Sequence, residues 1–471
     1  MPFAQTAGDR ARNAIADARH EPFWLAHPDR PAAREPLDGV TTADLVVVGA
    51  GLSGLWTAVR AKQRRPELDV VLLEGGRIGQ SASGRNGGFV AASITHGHPN
   101  GIERWPAEFA TLQAMGVENL RGIEKTIADY GIDCDYQRSG ELQVATEPYQ
   151  IAHLQEHVEL ARAHGAEVEF WDAERTRGAV ASPLYQGAVH DPEVGIVDPA
   201  RLCWGLARVA EELGVRIHEH SPAQSLQPSG AGMSVSTYSG RVETLRVALT
   251  TAAHAPLLKR LRAYVVPVFD HVVVTAPLPA DVRAAIGWSD RQGIGDSGNQ
   301  FHYYRITEDD RILFGGYDAV YQAGERPGSR LERDDDLSAR LVEHLHETFP
   351  QVAEVPIEYC WAGAIDTCSR FSAFWGTAYD ARVAYSVGFT GLGVGASRFG
   401  ADVVLDLLLR EETERTRLKM VRSKPLPFPP EPVRQLGIDI TRRSLAKADE
   451  QEGKRDLWLR TLDQLGLGFD S

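Results

Sequence analysis

Cysteine is scarce in this chain: Cys134, Cys203, Cys360 and Cys368 are the four in 471 residues, and no two form a C-x-x-C pair. That spacing excludes a dithiol redox centre and a zinc ribbon, and scattered thiols suit a reducing cytosol, so a cytoplasmic location is expected. Long apolar runs are missing too. The longest, Leu45 to Val59, is broken by Gly49, Gly51 and Gly54 and falls far short of a bilayer, so no membrane association is expected. Residues 1–20 carry Asp9, Arg10, Arg12, Asp17 and Arg19 without an uninterrupted apolar core, which argues against a secretory signal. Basic runs are absent and the formal net charge is −14, which excludes a phosphate-tracking stripe and with it a nucleic-acid partner. No H-E-x-x-H, Walker or G-x-S-x-G pattern occurs and no internal repeat is visible, so metalloprotease, P-loop, hydrolase and solenoid readings lack support; no metal is expected.

What is present is an ordinary globular composition, 43% hydrophobic and 24% charged, in a chain long enough for two or three intermingled domains around a large ligand. Leu45-Val46-Val47-Val48 is the continuous β-branched run of a strand buried on both faces; Leu52 to Gln63 then reads as a helix and Val70 to Glu74 as the next strand, a βαβ unit. Helical stretches (Ala107 to Tyr130, Tyr149 to His164, Pro199 to Leu213) alternate with strand-like runs (Leu142 to Ala145, Val215 to His218), which means α/β. From Val265 to Gly316 strands dominate, as in an antiparallel sheet. A helix from Ala401 to Leu409 precedes a charged, proline-rich tail, expected to pack on the outside or on a partner subunit. The expected fold class is therefore α/β, α+β overall.

Gly49-Ala50-Gly51-Leu52-Ser53-Gly54 directly follows the buried strand and opens the helix, so its glycines fall where the turn is tight, where backbone must approach a diphosphate, and where helix meets strand. Free N–H groups and the helix dipole would hold the diphosphate there. Glu74 ends the second strand twenty residues after Gly54, the spacing of a carboxylate that accepts hydrogen bonds from a ribose. The motif alone does not separate NAD from FAD.

Further on, Gly79-Gln80-Ser81-Ala82-Ser83-Gly84-Arg85-Asn86-Gly87-Gly88 is a loop of small residues with donors at Ser81, Ser83, Arg85 and Asn86, suited to a flat ligand. With Phe23-Trp24-Leu25, the Gly49 fingerprint, Gly131-Ile132-Asp133-Cys134-Asp135, Arg311-Ile312-Leu313-Phe314-Gly315-Gly316 and Gly388-Phe389-Thr390-Gly391-Leu392-Gly393-Val394, the sequence resembles the D-amino-acid-oxidase-like FAD oxidoreductases, in their γ-glutamylputrescine-oxidase-like branch, over about residues 22–410. The resemblance implies a discontinuous Rossmann-type FAD-binding domain (41–100, 196–264 and 356–410), a substrate domain on an antiparallel sheet (101–195 and 265–355), an N-terminal arm (1–40) and a C-terminal tail (411–471). It implies FAD contacts from Gly49, Gly51, Leu52, Ser53, Gly54, Glu74, Gly75, Ser81, Ser83, Gly84, Arg85, Asn86, Gly87, Gly88, Ala223, Thr251, Ala252, Gly363, Gly391, Leu392, Gly393 and Val394. Three departures stand out: Leu392 where many relatives carry His, Ala252 where Thr-Asn-Ala is usual, and Gly363 where sarcosine-oxidase-like relatives attach FAD through Cys. Noncovalent FAD is therefore expected, with Cys360, Cys368 and His96 or His98 left as attachment points.

The implied reaction is oxidation of a small amine or amino acid at its C–N bond, with hydride passing to the flavin and the imine hydrolysing; molecular oxygen is the expected acceptor. An ammonium has no lone pair, so the pocket must favour the neutral amine, which apolar and aromatic walls do. In His302-Tyr303-Tyr304-Arg305, alternation puts His302 and Tyr304 on one face and Tyr303 and Arg305 on the other, and only one pair can meet the flavin. Tyr304, His302, Arg305 and Trp361 are the catalytic candidates, with Arg370 as a further lining residue; Arg305 is equally suited to an ion pair with Asp309 or Asp310. Two alternatives stay open: a flavin dehydrogenase of an N-methylated amine or imino acid that uses an electron carrier, and an inert flavin-binding assembly protein.

Overall fold

The computed structural model describes residues 3–328 and 330–467; Met1 and Pro2 of the arm, Ser329, and the last four residues of the tail lie outside it. Leu45–Val48 forms the core of the strand Gly39–Val48, buried because both flanks are parallel neighbours, Val70–Leu73 and Gly240–Leu249. The sheet runs Phe374–Ala378, Val383–Val387, Gly240–Leu249, Gly39–Val48, Val70–Leu73, Arg216–His218, with a hairpin (Ser225–Ser229, Gly232–Ser236) added to Gly240–Leu249. The helices Leu52–Arg64 and Gly393–Leu409 pack against each other beside it.

A second eight-stranded sheet runs Ile357–Thr367, Val266–Thr275, Ile312–Gly316, His302–Ile306, Gly293–Asp296, Glu141–Ala145, Gly187–Asp191, Glu169–Asp172. It is antiparallel as expected except where Gly293–Asp296 pairs parallel with Glu141–Ala145. Ile357–Thr367 belongs here, paired along its length with Val266–Thr275, so the return to the first sheet comes at Phe374 rather than near residue 356.

One further expectation needs correction. The helix placed at Ala401 begins at Gly393. Its glycines look like breakers but are packing contacts: a Cβ on Gly395 would stand 2.3 Å from the Ala91 carbonyl oxygen. The tail packs on this chain's own second-sheet loops. Its helices Val433–Glu450 and Leu457–Gln464 are tied to the second sheet's loops, where the Asp449 carboxylate accepts from the backbone N–H groups of Asn299 and Gln300 and Arg442 pairs with Asp318. The arm bridges both halves: its helix Asp9–Ala14 packs on Asp335–Thr348, and Trp24 Nε1 donates to the Asn86 carbonyl at 2.9 Å.

Candidate functional site

A cavity of about 1720 Å³ opens between the two sheets and is continuous from the Gly49 turn to the tail. At the turn, Gly49 holds φ 104, and a Cβ on Gly54 would stand 1.8 Å from the Gly49 carbonyl oxygen, so helix and strand approach as closely as the backbone allows. The helix Leu52–Arg64 has Gly51 as its N-cap and no capping bond from that residue; the Leu52 N–H is taken by Ser83, and the end of the helix at Ser53 is left toward the cavity. Ser53 Oγ is buried there without a hydrogen-bond partner. Glu74 accepts from the Ala50 and Gly76 N–H groups at 2.7 and 2.8 Å, and burial pushes its carboxyl above the usual range.

The Ser81–Gly88 loop is braced from within. Ser83 Oγ accepts from the Leu52 N–H at 2.9 Å, Ser81 Oγ meets His254 Nε2 at 2.7 Å, and Asn86 Nδ2 donates to the Ala82 and Ser83 carbonyls. Arg85 spends its guanidinium on Glu332 and on the Gln80 and Ala362 carbonyls. The donors read from the sequence thus mostly hold the loop, and its backbone and small side chains form the cavity wall. All the expected FAD contacts line the cavity except Gly54 and Gly84, which act behind it: a Cβ on Gly84 would stand 2.4 Å from the Gly79 carbonyl oxygen.

At the other end Gly388, Thr390 and Gly391 take left-handed φ of 78, 50 and 93, and Asp366 fastens the loop by accepting from the Gly388 N–H at 2.6 Å. Burial pushes the Asp366 carboxyl up to about 6. The helix that starts at Gly393 again has no capping side chain, so a second set of free N–H groups faces the same space. Across from it Gly363 lines the cavity with no side chain to fill it.

The second sheet supplies the remaining wall, and it turns toward the cavity the face of Tyr303, a choice that alternation alone left open. Tyr304 is buried among Trp288, Phe314 and Phe349 on the far side, its hydroxyl accepting from that of Tyr185. His302 shares that side: Nδ1 meets Asp296 Oδ2 at 2.6 Å, Nε2 meets His344 Nδ1 at 2.9 Å, and His344 Nε2 reaches the Ala4 carbonyl of the arm. The His302 ring does not line the cavity. Arg305 lies on the near side but beneath the Gly88 strand, bonded to the Val197 carbonyl and paired with Asp135, not with Asp309 or Asp310. Trp361 Nε1 donates to the Arg85 carbonyl at 2.9 Å and Arg370 bonds the Ser372, Ala373 and Ser423 carbonyls; neither lines the cavity.

The residue of that strand that does line it is Tyr303, whose hydroxyl donates to Asp270 Oδ2 at 2.6 Å. Burial pushes Asp270 up to about 6, against the pull of the Tyr303 hydroxyl and the His271 and Gly316 N–H groups. The Phe89 ring stands edge-on to Tyr303 at 6.0 Å. Asp270 and Glu141 were missed by sequence reasoning. For Glu141 the signal was there in Glu141-Leu142-Gln143-Val144, an alternation that turns a carboxylate toward one face of a strand. Of the attachment points, His96 and His98 line the cavity, whereas Cys360 and Cys368 are buried outside its wall. Among the described residues no cluster of three or more His, Cys, Asp or Glu could hold a metal ion, and no helix is long and apolar enough to cross a membrane.

Two helix N-termini facing one cavity, neither bonded by its own N-cap side chain, the glycine turns beside them, and the orphaned Ser53 hydroxyl fit FAD. Residues 44–407 match the family model described as "DAO: FAD dependent oxidoreductase". The chain is 31% identical to the gamma-glutamylputrescine oxidoreductase of Escherichia coli over 83% of this chain and 89% of that one. It is 26% identical to the probable oxidoreductase OrdL of Haemophilus influenzae over 86% and 89%. Among solved structures, the glycine oxidase of Geobacillus kaustophilus superposes with a TM-score of 0.66 at 20% identity, over 79% of this chain and 96% of that one. The L-proline dehydrogenase of P. horikoshii gives 0.66 at 17%, over 80% and 96%.

Proposed function

The chain belongs to the DAO family of FAD-dependent oxidoreductases, and from that premise we propose that it oxidises the C–N bond of a small amine or amino acid in the cytoplasm, with molecular oxygen as final acceptor. The observation that carries this reading is the unbroken cavity from the Gly51 turn to the sheet face at Tyr303 and Asp270, with an apolar and aromatic wall where a substrate would lie. The names of the relatives, which include a gamma-glutamylputrescine oxidoreductase and a glycine oxidase, point to the same bond type.

The diphosphate of FAD would be held by the N–H groups after Gly51, the ribose by Glu74, and the pyrimidine edge by Gly391, Leu392, Gly393 and Val394. Bound there without a covalent link, FAD supplies the two-electron acceptor for the hydride of the substrate carbon. Noncovalent binding is supported by Gly363 at the position of the attaching Cys, and by Cys360 and Cys368 lying outside the cavity wall. The chain's own task is to deliver a neutral amine. Phe89 and Tyr303 remove water from around the nitrogen, which lowers the ammonium pKa, and the Asp270 carboxylate takes the released proton at Oδ1 or Oδ2. The Tyr303 hydroxyl and the N–H groups of His271 and Gly316 hold that carboxylate in place.

Anaerobic mixing of the yellow holoprotein with a panel of primary amines, secondary amines and amino acids tests the proposal. Bleaching of the flavin by some members, and hydrogen peroxide on readmitting air, is the expected outcome. Bleaching by none overturns the amine reading, and reoxidation only by an added electron carrier overturns the choice of oxygen.

A further inference from the structure

On the strand Glu141–Ala145, Leu142 and Val144 point into the core that holds Tyr304, while Glu141 and Gln143 face the cavity. Glu141 is the unusual one. Among the described residues its side chain makes no hydrogen bond and no ion pair, it lines the cavity, and burial together with Asp191 pushes its carboxyl up to about 7. Neighbouring cavity carboxylates are matched: Asp318 by Arg442, Glu193 by Arg138, Asp296 by His302, and Asp366 by backbone N–H groups. Directly across the ladder from Glu141 is Asp191, which accepts the Glu193 N–H and likewise has no fixed cation of its own. The nearby His157 is held neutral, since burial and His98 lower its pKa to about 4.

An unpaired carboxylate in a low-dielectric interior is costly, and one that persists there invites a ligand that pairs with it. Room for that ligand has been left. Gly295, between Glu141 and Tyr303 on the same face of the sheet, has no side chain, and Glu141 Oε1 lies 3.5 Å from where its Cβ would be. The strand of Glu141 is two strand spacings from that of Tyr303, on the order of 10 Å.

We propose that Glu141, with Asp191 behind it, binds a second, non-reacting ammonium at the far end of the substrate, so that the preferred substrates are extended diamines or amines with a distal cation. The inference rests on the amine reading above and specifies its substrate class.

The test compares 1,6-diaminohexane with n-hexylamine on the holoenzyme and its Glu141→Gln variant. The wild type is expected to prefer the diamine in kcat/KM, and the variant to lose about tenfold of that preference, mainly through KM. A preference unchanged by the substitution, or a wild type that does not favour the diamine, overturns the proposal. Should neither amine bleach the flavin, neither is turned over, the amine reading is left to the wider panel above, and thermal melting of the oxidised holoprotein with added 1,6-diaminohexane decides the binding claim. A rise in melting temperature in the wild type that is absent in Glu141→Gln upholds it, and equal behaviour of the two proteins overturns it. Flavin content per chain confirms that both are folded.

Discussion

Tyr303 reaches Asp270 across Gly315, whose Cβ, were there one, would stand 2.8 Å from the tyrosine ring and hydroxyl. The glycine lets an aromatic side chain lie along the sheet and turns a core position into a cavity floor with one carboxylate in it. Because burial lifts Asp270 to about 6, its ionised, proton-accepting fraction grows as pH rises through that value. The acid limb of kcat/KM should therefore climb through about 6. The tyrosine hydroxyl stabilises the charged form, so Tyr303→Phe should move the limb upward by about one pH unit, and Asp270→Asn should abolish it and lower kcat/KM by about 10²-fold or more. A limb that stays in place in both variants rules out Asp270 as the proton acceptor.

Gly51→Val should leave the purified protein nearly colourless. The added Cβ would come within 2.7 Å of Ser83 Oγ, displacing the acceptor of the Leu52 N–H and covering the helix N-terminus. The ratio of flavin to protein absorbance reads this directly, and a fully yellow variant would show that the diphosphate lies elsewhere.

His302→Ala should destabilise the protein by about 2–4 kcal/mol, because Asp296 and His344 both lose a buried partner. Turnover per bound flavin should stay within about twofold, since His302 points away from the cavity. Denaturant melts with flavin-normalised rates separate the two effects, and a rate loss greater than about a hundredfold would restore His302 to the chemistry.

Ala252 sits at φ 45, a left-handed conformation that Asn tolerates better than Ala. Ala252→Asn should raise stability by about 1 kcal/mol, measured from the denaturation midpoint. A loss of stability would mean that the cavity wall cannot take the larger side chain.

The parts of this molecule that could be read from the sequence are those in which the chain contacts itself locally. Leu45–Val48, the Gly49 turn and Glu74 lie within one βαβ unit, and the structure puts their backbone where the pattern says. Alternation sorted His302 and Tyr304 from Tyr303 and Arg305, but a period of two cannot say which side is the core; that is set by Trp288 and Phe349, distant in sequence. The start of the helix at Gly393 was hidden because the contact that explains Gly395, with Ala91, is about three hundred residues away. Asp270 carried no local signal, since its meaning depends on Tyr303 two strands over.

The family match ends at residue 407, yet Ile438, Leu445, Trp458 and Leu462 of the tail helices form part of the cavity wall. Part of the cavity wall is thus encoded outside the stretch that matches the family. Exchanging the segment after Leu409 between relatives would change that part of the wall and leave the Gly51 turn, Tyr303 and Asp270 as they are, so one end of the gene can vary without disturbing the other.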